Sequence, residues 1–239
     1  LLSILLAAVM VLTMLPLGLV DTAWAADVVD SGSCGWDMRW RLSDDGTLTI
    51  SGTGEMNDYD DETENYAPWH DISTSSRIKS VIIEDGVTSI GRYAFSYCGA
   101  LTSVTIPSSV TSIENYAFRG CTNLTSMTIP DSVTSIGWNA FMDCVSLTDI
   151  KLPTVLKIIE DDTFSKCASL TSITIPSGVT SIGENAFYFC YNLTDVYYAG
   201  TASDWAKITI EEGNEDLTSA TLHCAKSAPA APVVKIGNS

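Results

Sequence analysis

The stretch LTSVTIPSSVTSIENYAFRGC, residues Leu101–Cys121, recurs in altered copies before and after itself. Val81, Val104, Met127, Ile150, Ile173 and Val196 stand 23 residues apart. With each taken as position 0, apolar residues return at fixed places. Position 2 holds Ile83, Ile106, Ile129, Leu152 and Ile175; position 6 holds Val87, Val110, Val133, Leu156 and Val179. Position 9 is always Ile, as in Ile113, and position 14 is always Phe: Phe95, Phe118, Phe141, Phe164 and Phe187. Position 17 is Cys98, Cys121, Cys144, Cys167 and Cys190, and position 20 is Leu throughout. Five complete units run from 81 to 195. No unit can bury such a set alone, so the units must stack into one continuous column.

Each unit reads as one coil. Positions 0 and 2 alternate with polar neighbours, which puts both on one face of a short strand. Pro107, Pro130, Pro153 and Pro176 end that strand, because proline cannot donate to a continuing ladder. A second extended piece carries positions 6 and 9. Ala117-Phe118…Cys121…Leu124 then has the spacing of a helical turn with one apolar face. The expected fold is an α/β repeat, a solenoid of 23-residue coils built from short strands plus a helical turn.

On these residues the chain resembles the BspA-like class of leucine-rich repeat found in bacterial surface proteins. The resemblance covers 78–198, and Leu101-x-x-Val104-x-Ile106 fits the general leucine-rich strand pattern. Ser109 stands where that pattern usually has Asn, so curvature does not carry over from the Asn-ladder horseshoes. The fourth unit is the least regular, with Lys157-Ile158 for Thr-Ser and Thr163 for Ala. The resemblance implies a leucine-rich-repeat solenoid at a cell surface, acting in adhesion or protein binding.

The flanks are expected to cap the column. MRWRLSDDGTLTISGTG alternates around Asp44-Asp45-Gly46, a hairpin signal, and Trp36, Trp40, Leu42, Leu48 and Ile50 are then expected to cover the first coil. After the repeats, TASDWAKITI reads as a short Ser-capped helix carrying Trp205, and LTSATLHCA as a closing strand. The expected organisation is a signal peptide over 1–25, an N-terminal cap over 26–77, repeats over 78–195, a C-terminal helix/strand cap over 196–225 and a Pro/Ala linker over 226–239. The signal peptide rests on the apolar run Leu1–Val20 followed by Ala23-Trp24-Ala25, the small-x-small form of a cleavage site. A retained membrane anchor is the alternative, since the run is long enough to span a bilayer. The linker, running into a Val-Val-Lys-Ile stretch, suggests a further domain beyond it.

Twelve Lys+Arg against 29 Asp+Glu give a net charge of −17. Nucleic acid is excluded as a partner, because phosphate binding needs a basic surface. The seven cysteines lack CxxC spacing, so they read as small buried apolar groups rather than zinc ligands. Asp58–Asn65 lacks the Gly and the closing Glu of a calcium loop and reads as a solvated acidic loop. His70 and His223 fall in opposite caps, and no hydrolase or metalloprotease motif is present. No catalytic residues, metal or cofactor are expected.

What remains is the solvent side of the stacked strands. Position 1 should point outward there: Ile82, Thr105, Thr128, Lys151, Thr174 and Tyr197. Thr also suits any exposed strand, so the row alone does not prove a site. Tyr188 and Tyr191, with Phe189, Tyr197 and Tyr198, form a second candidate, either a carbohydrate contact or a dock for the C-terminal cap. The expected role is a secreted or cell-surface, monomeric module binding an extracellular or host protein. The alternatives are a polysaccharide-binding arm of a larger secreted hydrolase and a structural stalk.

Overall fold

The computed structural model describes residues 26–60 and 63–225; the segments expected to be a signal peptide and a linker lie outside them. The described chain winds as a solenoid whose coils have three sides. The first side is a row of strands running Thr47–Gly52, Ser80–Ile83, Ser103–Thr105, Ser126–Thr128, Asp149–Lys151, Ser172–Ile175, Asp195–Tyr198 and Thr221–Cys224. The second is a row of shorter strands, Gly54–Glu55, Val87–Ile90, Ser112–Ile113, Ser135–Ile136, Ile158–Ile159, Ser181–Ile182 and Thr209–Ile210. Within each row most neighbours pair in parallel at the repeat offset, as in Val81↔Val104, Ile90↔Ile113 and Ile150↔Met127, with breaks after Ser103–Thr105 and Asp149–Lys151 in the first row and after Ser135–Ile136 in the second. All four strands that precede a proline stop before it, because the ladder loses its donor there.

The third side departs from the expected helical turn. Positions 11 to 16 form a chain of tight turns in which alternate N–H groups point to different coils. Ala94, Ser96 and Cys98 donate three residues back within their own coil, to Gly91, Tyr93 and Phe95. Tyr93, Phe95 and Tyr97 donate instead to Asn115, Ala117 and Arg119 of the next coil. This is possible because positions 12 and 16 are left-handed: Tyr93 and Tyr97 have φ of 56° and 59°, and Asn139 and Asp143 have 58° and 61°. An α-helix would spend every N–H inside its own coil. The Phe–Cys–Leu spacing survives because the turns happen to advance at a similar pitch.

The core is a set of columns. The phenyl rings stack along the axis with centroids 5.3, 5.4, 5.6 and 5.4 Å apart. Beside them, each repeat thiol after the first donates to the Phe carbonyl of the preceding coil: Cys121 to Phe95, Cys144 to Phe118, Cys167 to Phe141 and Cys190 to Phe164, at 3.2–3.3 Å. All seven cysteines are free thiols. Burial pushes Cys98, Cys144 and Cys190 up to about 12 and holds Cys121 and Cys167 well above the usual thiol value. They are therefore neutral donors, not nucleophiles.

Two side chains close the ends of this ladder. In the interior, the Phe N–H of one coil donates to the Ala or Thr carbonyl of the next: Phe118 to Ala140, Phe141 to Thr163, Phe164 to Ala186. At the start, the carbonyl of Ala94 accepts from Trp69 Nε1 at 2.7 Å, and the Trp69 ring stacks on Phe95 at 5.7 Å. At the end, Phe187 N–H donates to Asn214 Oδ1 at 3.0 Å, while Asn214 Nδ2 donates to the carbonyls of Gly183 and Glu211 at 2.8 and 2.9 Å. Trp69 and Asn214 thus stand in for a missing coil at each end.

The N-terminal flank contains an antiparallel meander: Val28–Gly35, Met38–Ser43 and Thr47–Gly52, the last continuing into the parallel row. Its first strand was not legible, since VVDSGSCG has no apolar alternation. Trp40, Leu42, Leu48 and Ile50 are buried, but Trp36 is 101% exposed. It sits in the two-residue turn between the first two strands, where no coil reaches it. At the other end the short helix Ala202–Trp205 is capped by Thr201, not by Ser203. Thr201 Oγ1 accepts from Asp204 N–H and donates to the Asp204 carboxylate, a reciprocal pairing that Ser203, already inside the helix, cannot make. A second short helix, Glu215–Ser219, buries Leu217 before the closing strand Thr221–Cys224.

Candidate binding face

The repeated threonines divide into two kinds. Six of the nine at positions 7 and 21 tie coils together: the hydroxyls of Thr102, Thr111, Thr134, Thr148, Thr180 and Thr194 each donate to a carbonyl 23 residues earlier, at 2.9–3.3 Å. Those at position 1 do not. Thr105, Thr128 and Thr174 are exposed on the first strand row, and among the described residues their hydroxyls have no hydrogen-bond partner. Lys151 is exposed in the same row, in register with Thr128, and Thr174 is in register with Tyr197. Strand spacing sets successive members of the row about 5 Å apart.

The row ends in a fixed polar group. Tyr197 stacks on His223 at 4.6 Å, and His223 Nε2 lies 2.7 Å from Asp195 Oδ1. Hydrogen bonds from His223 and then Thr194 hold the Asp195 carboxyl below the usual carboxylate value. The other tyrosines lie elsewhere. Tyr188 and Tyr191 are on the turn side, where Phe189 is sandwiched between them at 3.9 and 5.1 Å. Tyr191 is 66% exposed. Tyr198 is buried against Trp205 and donates to the Ser177 carbonyl. The five aromatic residues grouped by sequence therefore occupy three separate places.

A larger aromatic surface went unread in the sequence. It covers the N-terminal half of the turn side, where Tyr93 stacks on Tyr116 at 4.4 Å and Tyr116 meets Trp138 edge-on at 4.6 Å. The Arg119 guanidinium lies over the rings of Tyr97 and Tyr116 at 5.2 and 5.4 Å, and Arg92 over Tyr93 at 5.3 Å. Farther along, the same side turns acidic, with Asp161, Asp162 and Glu184. Burial raises Asp162 above its usual value, and the charges of Asp161 and Glu184 push the same way. The signal was available: positions 11, 12, 15 and 16 vary from unit to unit while the inward columns do not. Among the described residues, no group of three or more potential metal-ligating side chains comes together.

A sequence model described as the BspA type leucine rich repeat region matches residues 88–208, in six copies. The chain belongs to this family. Several solved structures of leucine-rich repeat proteins are similar to the chain. A leucine-rich repeat protein from Bacteroides capillosus is 28% identical over 71% of this chain and 100% of its own, with a TM-score of 0.38. One from T. pallidum is 21% identical over 66% and 88%, with a TM-score of 0.42. One from Eubacterium ventriosum is 22% identical over 71% and 73%, with a TM-score of 0.38. No curated protein matches the sequence. Within this BspA-type repeat the Phe, Cys and Leu columns and the tying threonines are accounted for by coil stacking, whereas the outward positions are not.

Proposed function

We propose that the protein is an extracellular, non-catalytic binding module that engages a protein partner through the outward side chains of the first strand row. The observation that carries this reading is the contrast among the threonines. Six hydroxyls at positions 7 and 21 are consumed by the fold, whereas none of those of Thr105, Thr128 and Thr174 is; with the Lys151 ammonium between them, they face solvent. A rigid column holds them in fixed register, so each contact adds to the next without further ordering cost. The stacked Tyr197–His223 pair supplies a rigid aromatic end to the row. Export is supported by the leader-like sequence before Ala26 and by the family's recurrence in surface proteins.

The test is retention of surface-labelled extracellular proteins by the immobilised chain. Replacing Thr105, Thr128 and Thr174 by Glu and Lys151 by Ala should abolish retention without altering the melting temperature. Undiminished retention by that variant would remove the strand row from the mechanism.

A further inference from the structure

We infer that the turn side carries a second, independent site: an aromatic platform and slot built to take an uncharged glycan. The slot lies between the N-terminal flank and the first coil, lined by Tyr59, Tyr66, His70, Tyr93, Ser96 and Tyr97. Two of these point to a ligand. The Tyr59 hydroxyl and Ser96 Oγ are buried and have no hydrogen-bond partner among the described residues, although the residues are only 5% and 4% exposed. Burying unpaired hydroxyls is unfavourable, and a structure retains them where something else completes them. Burial raises the Tyr59 phenol well above its usual value, with smaller contributions from Cys34 and Asp58, so it stays protonated and able to donate. The cavity between them is ≈ 20 Å³, enough for one hydroxyl-sized group.

Outside the slot the platform is preorganised. Gly120 is the one position-16 residue among the five units without a side chain. It has φ of +69°, and a Cβ there would lie 2.6 Å from the Tyr97 ring. The ring therefore lies on bare backbone, with the Arg119 guanidinium over it, and remains 49% exposed. Trp138, 39% exposed, continues the platform through Tyr116. Neither Arg92 nor Arg119 forms an ion pair among the described residues, and the Nε of each is buried without an acceptor. With their faces on tyrosine rings, the guanidinium edges are left to donate to sugar oxygens.

A pyranose presents a C–H face that can stack on the exposed Trp138 ring, and a rim of hydroxyls that can enter the slot beside Tyr97 and accept from arginine. Its length is close to the rise of one coil, so consecutive sugars can follow Tyr97 towards Trp138. A polyanion is disfavoured by the net charge of −17 and by Asp58 and Asp60 at the slot.

The test is a glycan array with neutral and acidic members, followed by affinity electrophoresis of the full chain in the best neutral polysaccharide. Retention by a neutral glycan should persist in 1 M salt. Tyr97→Ala and Trp138→Ala should each weaken it at least tenfold, and Ser96→Val, which fills the slot, should do the same. Tyr191→Ala, in the separate aromatic cluster, should leave it unchanged. Thermal melts identify any variant that fails to fold, and the exposed Tyr97 and Trp138 rings can be removed without opening the core. No neutral glycan retained, retention confined to acidic glycans and lost in salt, or retention indifferent to Tyr97→Ala would each overturn the assignment and leave a slot holding only water. Because the strand-row variant keeps every platform residue, the two sites fail or succeed separately.

Discussion

Replacing Asn214 by Ala removes the side chain that takes the place of a further coil. The lost bonds are Phe187 N–H to Oδ1 at 3.0 Å and Nδ2 to the carbonyls of Gly183 and Glu211 at 2.8 and 2.9 Å. Glu211 is exposed and its carbonyl can turn to water, but Phe187 and Gly183 are buried. The Gly183 carbonyl still accepts from the Ala186 N–H at 3.4 Å, so the Phe187 N–H is the buried group left unpaired, at a cost of about 1–3 kcal/mol. A solenoid spends such a loss locally, by fraying its last coils before the rest unfolds. Hydrogen exchange should therefore accelerate on the order of 10- to 100-fold at the Phe187 amide, with a smaller effect at Phe164 and none at Phe118. Asn214→Asp separates the two halves of the contact. It keeps the acceptor for Phe187 but turns a carboxylate oxygen on the Gly183 carbonyl, so it should be at least as damaging at neutral pH and partly restored in acid, where a protonated carboxyl can donate. A change below about 1 kcal/mol in Asn214→Ala, with Phe187 still protected, would refute the idea that this side chain completes the ladder.

Further expectations follow from the same geometry. Trp69→Phe keeps an aromatic ring over Phe95 but strands the Ala94 carbonyl, and should cost about 1–3 kcal/mol in urea denaturation. Gly137→Ala places a Cβ 2.3 Å from Asn115 Oδ1 and 2.6 Å from its backbone nitrogen. It should destabilise by about 1–3 kcal/mol, and Asn115→Ala should rescue it only in part, because the backbone contact remains. The thiol column sets an alkaline limit: a thiol raised from 9 to about 12 on folding stabilises fully below pH 9 and loses that stabilisation as pH climbs to 12. Stability measured against pH should be insensitive to these groups up to about pH 8.5, then fall by ~1.4 kcal/mol per pH unit per thiol, a slope that Cys144→Ala should reduce. In the native protein at pH 8, iodoacetamide should modify the half-exposed Cys224 long before the buried repeat cysteines.

The inward columns were legible because each is a local fact repeated. Phe at position 14, Cys at 17 and Leu at 20 need only a period to be recognised as facing one axis, and stacking then follows from the apolar area no single coil can hide. The outward row at position 1 was legible for the same reason, since strand alternation alone sends Thr105, Thr128 and Thr174 to solvent.

What the period concealed is whatever depends on the identity of the neighbouring coil. Position 10 alternates Gly91, Glu114, Gly137, Glu160 and Gly183. The glycines at 137 and 183 make room for the Asn115 and Asp161 side chains of the preceding coils, which also accept from the Trp138 and Glu184 N–H groups. That is a 46-residue rhythm inside a 23-residue one, written in the sequence but without meaning until the coils are stacked. The turns on the third side were misread because helical spacing does not reveal which coil an N–H will choose.

The sequence alone determined a stacked solenoid, its buried columns and the direction of its outward strand residues, since all three depend on periodicity. Only the tertiary structure decided that Trp69 and Asn214 close the ladder, that Tyr188 and Tyr197 are on different sides, and that Arg119 meets Tyr97 and Tyr116 while Tyr116 meets Trp138. Those pairings join residues on successive coils, or residues outside the repeat altogether, and are fixed by which backbone groups the last coil leaves unpaired and which side chains the next coil sets beside them.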